Sequence, residues 1–160
     1  MGAGILPVAI HDNQVYLLLG KDAGTGSWSD FGGGRENNET HLETAIREGV
    51  EELNGFLGTE SDMRSMIKNN CLGVLATTEP VYKCFLIKID YDFSLPQYFN
   101  SNFKLMNRKL KPEVERHNGL FEKSEIRWVP LKEIKKLTYR RYFYYSVYPL
   151  IRKFFSNYKV

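Results

Sequence analysis

Between Thr40 and Leu53 the chain has few options other than an amphipathic helix with an acidic polar side. Thr40 and Glu43 have the spacing of a capping box, and Asn37 and Asn38 just before them suit a turn. At 100° per residue, Leu42, Ala45, Ile46, Gly49, Val50 and Leu53 gather on one broad face that must be buried. Glu48, Glu51 and Glu52, spaced i, i+3, i+4, form a second face pointing well away from it. Like charges so placed repel by a few tenths of a kcal/mol per pair, and the only basic residue on the helix is Arg47. A solvated acidic face would more often carry Lys four residues after each Glu. Three uncompensated carboxylates instead suit a hard cation such as Mg²⁺ or Mn²⁺, which takes oxygen ligands and keeps some of its waters.

The helix is entered through Phe31-Gly32-Gly33-Gly34, where glycine permits positive φ and close backbone approach to a metal or a phosphate. Together the stretch reads Gly33, five residues, Glu39, seven residues, Arg47-Glu48, two residues, Glu51-Glu52. It resembles the signature of the Nudix hydrolases, which cleave diphosphate linkages with divalent metal ions. The resemblance implies an α/β/α sandwich with a mixed sheet between helices, and Glu48, Glu51 and Glu52 as metal ligands with a backbone carbonyl of Gly32 or Gly33. It also implies that Arg47 orients neighbouring glutamates, Glu39 among them, with Gly34 and Glu39 structural within the motif. The chain departs from the family at Gly49, where an aliphatic residue is expected, and at Asn54, where a glycine is expected. Asn is the second-best residue for a left-handed helix end, and neither departure removes a ligand.

Around this segment, Ala3 to His11 reads as a buried strand, Asp12-Asn13 as a hairpin turn and Gln14 to Leu19 as the returning strand. Lys21 to Gly26 reads as a loop and Trp28 to Phe31 as a short strand. Ser61 to Asn69 suits a short helix, and Leu72 to Thr77 with Val81 to Ile89 a hairpin around Glu79-Pro80. Pro96 to Leu110 reads as helix, Lys111 to Glu122 as loop and Ile126 to Val129 as the last strand. A short helix opens at Pro130–Ile134, and Arg141 to Tyr158 forms a final aromatic helix bent at Pro149. Helices before, between and after mixed strands predict helices on both faces of one sheet, in a single domain spanning residues 1–160.

Diphosphate hydrolysis also needs a base for the attacking water. The late carboxylates Glu113, Glu115, Glu122 and Glu125 are the candidates. In the decapping branch of the family, which the run Phe121 to Trp128 resembles, a glutamate six residues before the last strand's Trp is the base. That spacing picks Glu122, with Glu125 next, and Glu48 or Glu52 if neither serves. Lys21 and Arg35 are candidates for phosphate contact. Trp28, Phe31, Tyr82 or the 98–103 aromatics are candidates for stacking on a base, although aromatics are more often core.

The net charge of +3 conceals an asymmetry: residues 1–90 carry 7 Lys and Arg against 13 Asp and Glu, residues 91–160 carry 15 against 6. The basic half suits a polyphosphate or RNA as well as plain solubility. No apolar run reaches the length of a membrane span, the N-terminus lacks a basic segment before its apolar run, and Cys71 and Cys84 sit in strand-like runs as buried thiols. A cytoplasmic or otherwise intracellular protein, monomer or homodimer, is expected. The expected activity is a metal-dependent pyrophosphohydrolase acting on a nucleotide-type substrate: capped or 5′-triphosphate RNA, or a dinucleoside polyphosphate. Diphosphoinositol polyphosphates and nucleotide sugars are alternatives, and a Nudix-fold binding module without catalysis is the alternative of a different class.

Overall fold

The computed structural model describes residues 1–109 and 120–158. Its sheet is organised around β1 (Gly2–His11), whose alternating Ile5 and Leu6 enter the cores on opposite faces. The Asp12-Asn13 turn, with φ of 48° and 55°, returns the chain as β2 (Gln14–Asp22). β1 pairs with β2 only from Val8 to His11; the segment 28–34 pairs with both beyond that point. Trp28–Ser29 (β3) bonds β2 and Phe31–Gly34 (β4) bonds β1, so the expected single strand 28–31 is two strands hinged at Asp30.

On its other side β1 runs parallel to β6 (Val81–Lys88), which is antiparallel to β5 (Cys71–Thr78). β7 (Lys123–Pro130) pairs antiparallel with β2, completing a mixed seven-stranded sheet. The expected loop from Lys21 and the expected start of the last strand at Ile126 are both corrected: Lys21 and Asp22 remain in β2 because they pair with Glu125 and Lys123. That cross-strand pairing has no signature in either local segment.

Helix α1 (His41–Glu52) starts at Thr40, which accepts from the Glu43 N–H while the Glu43 carboxylate accepts from the Thr40 N–H. It packs Ala45, Ile46 and Leu53 on the sheet face that also receives α2 (Glu60–Asn70) through Met63 and α3 (Ser94–Lys109) through Phe99. Gly49 sits where an added Cβ would lie 2.7 Å from Ile5 Cδ1, so the glycine in mid-helix is what lets α1 close on β1. The opposite face is covered by a 3-10 turn (Leu131–Lys136), the segment Phe143–Val147 and α4 (Tyr148–Ser156), through Ile134, Phe143, Val147, Ile151 and Phe155. The expected final helix is instead a π turn at Phe143–Val147 followed by α4, with Pro149 in the first turn of α4, where its missing N–H breaks no helical bond. Helices on both faces of a mixed sheet make an α/β/α sandwich. Among the described residues no helix is long and apolar enough to cross a membrane.

Candidate active site

The carboxylates of α1 meet the glycine strand along one side of a polar cleft of about 500 Å³. Arg47 organises this junction. Its Nε donates to Glu39 Oε1 at 2.8 Å, its Nη1 to Glu48 Oε1 at 2.9 Å and to Glu51 Oε2 at 3.1 Å, and its Nη2 to the Gly34 carbonyl at 3.0 Å. One guanidinium therefore fixes two site carboxylates, the motif glutamate and the end of β4. Its hydrogen bond is the main reason that the Glu39 carboxyl titrates at about 2.

The three glutamates do not form the uncompensated, outward face expected from the sequence. Glu48 and Glu51 share Arg47, and Glu52 is 2% exposed with its Oε1 3.2 Å from Lys123 Nζ. The helix period itself accounts for Glu52: it lies seven residues after Ala45, nearly above it on the buried face. Burial raises the Glu48 and Glu51 carboxyls, and Arg47 partly offsets it. Glu52 is pushed up to about 8 by burial, against the pull of Lys123 and with the help of Glu48. Such crowding of carboxylates in partial burial is an environment that favours a cation.

The glycines do not adopt positive φ; among the described glycines only Gly26, Gly55 and Gly58 do. Their role is close approach in an extended strand. An added Cβ on Gly33 would lie 2.6 Å from the Glu48 Cδ. The Gly32 N–H donates to Glu52 Oε2 at 2.8 Å, so Gly32 turns its backbone polar groups toward α1. Gly33 alternates, its carbonyl oxygen lying against Gly2 of β1. That alternation decides between the two glycines, against Gly33: the carbonyl on the carboxylate side of the strand is that of Gly32.

Of the late carboxylates, Glu122 borders the cleft with Glu48, Glu51 and Glu52, whereas Glu125 does not. Glu125 lies on β7 between Arg127 Nη2 at 2.6 Å and Lys21 Nζ at 3.8 Å, which also removes Lys21 from the cleft. Glu113 and Glu115 lie outside the described residues. Arg35 is held at Met1, its N–H donating to the Met1 carbonyl at 3.1 Å, and does not border the cleft. The aromatic candidates are also corrected. Phe31 is fully buried, and Trp28 is 4% exposed with the Arg127 guanidinium 5.0 Å above its ring. Neither leaves a face open to a base. Tyr82 is buried too, its hydroxyl donating to Asp30 Oδ2 at 2.9 Å, while Tyr98 is exposed on α3.

Sequence reasoning missed three groups. Lys123 is fully buried, its ammonium between Glu52 and Ser29 Oγ at 3.1 Å. Arg140 borders the cleft and is held by Asp22 at 2.8 Å. Asp30 is fully buried and accepts from Tyr142 at 2.6 Å as well as from Tyr82, so it ties the chain just after Arg140 to the sheet. The adjacency of Lys123 to Glu122 was a usable signal; Arg140 and Asp30 had none.

Among the described residues no three His, Cys, Asp or Glu side chains already converge as a closed metal cage. The donor set nonetheless fits a hard cation, because Arg47 engages one oxygen each of Glu48 and Glu51 and leaves Glu48 Oε2 and Glu51 Oε1 without a hydrogen bond among the described residues. Mg²⁺ is commonly held by one or two carboxylates with waters completing its shell.

An α/β/α sandwich with a glycine strand feeding a carboxylate-bearing helix defines the Nudix fold, and solved structures agree over nearly the whole chain. A C. elegans Ap4A hydrolase in a binary complex matches with a TM-score of 0.60 at 19% identity, covering 98% of this chain and 96% of that one. A Nudix hydrolase from M. smegmatis matches with a TM-score of 0.58 at 16% identity, over 99% and 88%. A bifunctional NMN adenylyltransferase/ADP ribose pyrophosphatase from Francisella tularensis, complexed with AMP and a Mn ion, matches with a TM-score of 0.59 at 18% identity, over 96% of this chain and 41% of that one. No family model and no curated protein matches the sequence. This chain has the fold of the Nudix hydrolases.

Proposed function

We propose that this protein is a divalent-metal-dependent pyrophosphohydrolase acting on the diphosphate or polyphosphate linkage of a nucleotide-type substrate. The observation that carries the reading is the meeting of Glu48, Glu51, Glu52 and Glu122 with Arg140 on one polar cleft. Glu48, Glu51 and Glu52, with the Gly32 carbonyl, would hold Mg²⁺ or Mn²⁺. Bound there, the ion supplies a water of lowered pKa and neutralises phosphate charge. Arg47 fixes the orientation of Glu48 and Glu51. Glu122, exposed at the rim, accepts the proton of the attacking water, and Arg140 offers its guanidinium to a phosphate oxygen.

Among substrates, small nucleoside di- and polyphosphate derivatives come first. Two of the similar solved structures carry the names Ap4A hydrolase and ADP ribose pyrophosphatase. Capped or 5′-triphosphate RNA is the second reading, favoured by the excess of Lys and Arg in residues 91–160 and by the spacing of Glu122 to Trp128. The deciding experiment is hydrolysis of a panel of dinucleoside polyphosphates, ADP-ribose, nucleotide sugars, diphosphoinositol polyphosphates and capped RNA, with Mg²⁺ or Mn²⁺ in an intracellular-type buffer. Turnover of a small nucleoside di- or polyphosphate derivative without salt-dependent RNA affinity supports the first reading; RNA turnover with steep salt dependence supports the second. Binding of a nucleotide with no turnover of any substrate would identify a binding module and overturn the catalytic proposal.

A further inference from the structure

We infer that Asn54 is a positioning residue for Glu122: its side-chain carbonyl, just past the end of α1, holds the turn from which Glu122 faces the carboxylate cleft. The inference rests on the reading of Glu122 as general base. Asn54 has φ of 50°, and its N–H donates to the Glu51 carbonyl at 2.9 Å while Gly55 N–H donates to Val50, so its backbone closes the last turn of α1. Glycine performs that task at least as well, and glycine is what the family pattern has at this place. Glycine has no acceptor, however. Asn54 Oδ1 accepts the Phe121 N–H at 3.1 Å, bridging 67 residues of chain.

Phe121 itself has φ of 63°, a conformation that a bulky residue rarely adopts unless its surroundings impose it. The hydrogen bond from Asn54 is one imposing contact, and the packing of the Phe121 ring against Phe103 at 6.5 Å is another. One residue later the Glu122 carbonyl accepts the Ala23 N–H at 2.8 Å, and Lys123 anchors its ammonium on Glu52. Glu122 is thus bracketed on both sides, and two of the three polar ties, Asn54 and Glu52, come from the end of the helix that carries the other site carboxylates. The departure of the sequence at Asn54 fastens a rim residue to the same rigid body as Glu48 and Glu51. A carboxylate that must meet an attacking water in line loses rate steeply with small displacements.

The test is a double-mutant cycle on the best substrate of the nucleotide panel, with full-length protein and saturating Mg²⁺. Asn54→Gly keeps the left-handed helix end and deletes only the acceptor. It is expected to lower kcat about tenfold with KM within about twofold, and with a melting temperature close to that of the unaltered protein. Asn54→Asp keeps an acceptor and is expected to restore most of the rate. Glu122→Gln is expected to lose far more, and adding Asn54→Gly to it to lose nothing further, because Asn54 acts through Glu122. Rate losses that multiply in the double variant, or an Asn54→Gly enzyme with unchanged kcat, overturn the inference alone. A Glu122→Gln enzyme that turns over normally overturns the reading of Glu122 and the inference with it.

Discussion

Replacing Glu52 by Gln looks like a clean test of the active site, but the buried pair it forms with Lys123 makes it a test of stability as well. Gln preserves the shape and can still accept the Gly32 N–H that now lies 2.8 Å from Oε2. It removes the only carboxylate bonded to the ammonium of Lys123, which is fully buried and otherwise hydrogen-bonded only to Ser29 among the described residues. Breaking one side of a buried ion pair costs ~3–5 kcal/mol. Lys123→Met costs less, about 1–3 kcal/mol, the range for an unsatisfied buried group. Burial raises the Glu52 carboxyl even beside Lys123, so Glu52 takes up a proton when its cation is lost. The double variant removes both charges and is expected within ~2 kcal/mol of the unaltered protein, since apolar replacement of a buried pair is often neutral. The assay is urea unfolding at pH 9, where a carboxyl pushed up to about 8 is ionised, in a chelator, so that metal binding does not add to the folded state, with hydrolysis measured in parallel. A Glu52→Gln protein destabilised by less than ~1 kcal/mol, or a double variant no more stable than Glu52→Gln, would refute the idea that the stranded Lys123 charge causes the loss. A double variant that regains stability yet hydrolyses nothing would separate the chemical role of Glu52 from its structural one.

Three further outcomes follow from the same geometry. Glu122→Gln is expected to lower kcat on the order of a hundredfold or more, whereas Glu125→Gln, which breaks exposed pairs with Arg127 and Lys21, is expected to stay within about twofold, and steady-state kinetics on one substrate compares them directly. Gly33→Ala places a methyl group against the Glu48 carboxylate and is expected to cut turnover while the far-ultraviolet circular dichroism is retained; unchanged turnover would contradict the close approach. Glu39 has its carboxyl depressed from 4.5 to about 2, mainly by Arg47, so its ion pair stabilises the fold above pH 4.5 and is lost as the pH falls toward 2. The stability difference between the unaltered protein and Glu39→Gln, measured by urea unfolding, is therefore expected to shrink between pH 4.5 and 2, and a constant difference across that window would contradict the assignment.

The sequence by itself determined the parts whose logic is local. The capping box at Thr40 and Glu43, the carboxylates at Glu48, Glu51 and Glu52 one turn apart, the Asp12-Asn13 hairpin and the alternation of β1 follow from periods of 3.6 and 2 and from turn chemistry, and the structure shows each of them. Even the burial of Glu52 was present in the seven-residue spacing to Ala45. What the tertiary structure decided is everything that depends on strand register. The pairing of β2 with β7 sets Lys21 beside Glu125 and leaves Glu122 at the cleft. The pairing of β4 with β1 turns the Gly33 carbonyl toward Gly2 and the Gly32 backbone toward Glu52. Lys123 meets Glu52 and Arg140 meets Asp22 across 71 and 118 residues of chain. Local periodicity encodes which face of an element is buried, but not which distant element will cover it. The partners of Glu52 and Asp22, the orientation of the carbonyls and the place of Glu122 at the cleft were therefore fixed only when the sheet closed.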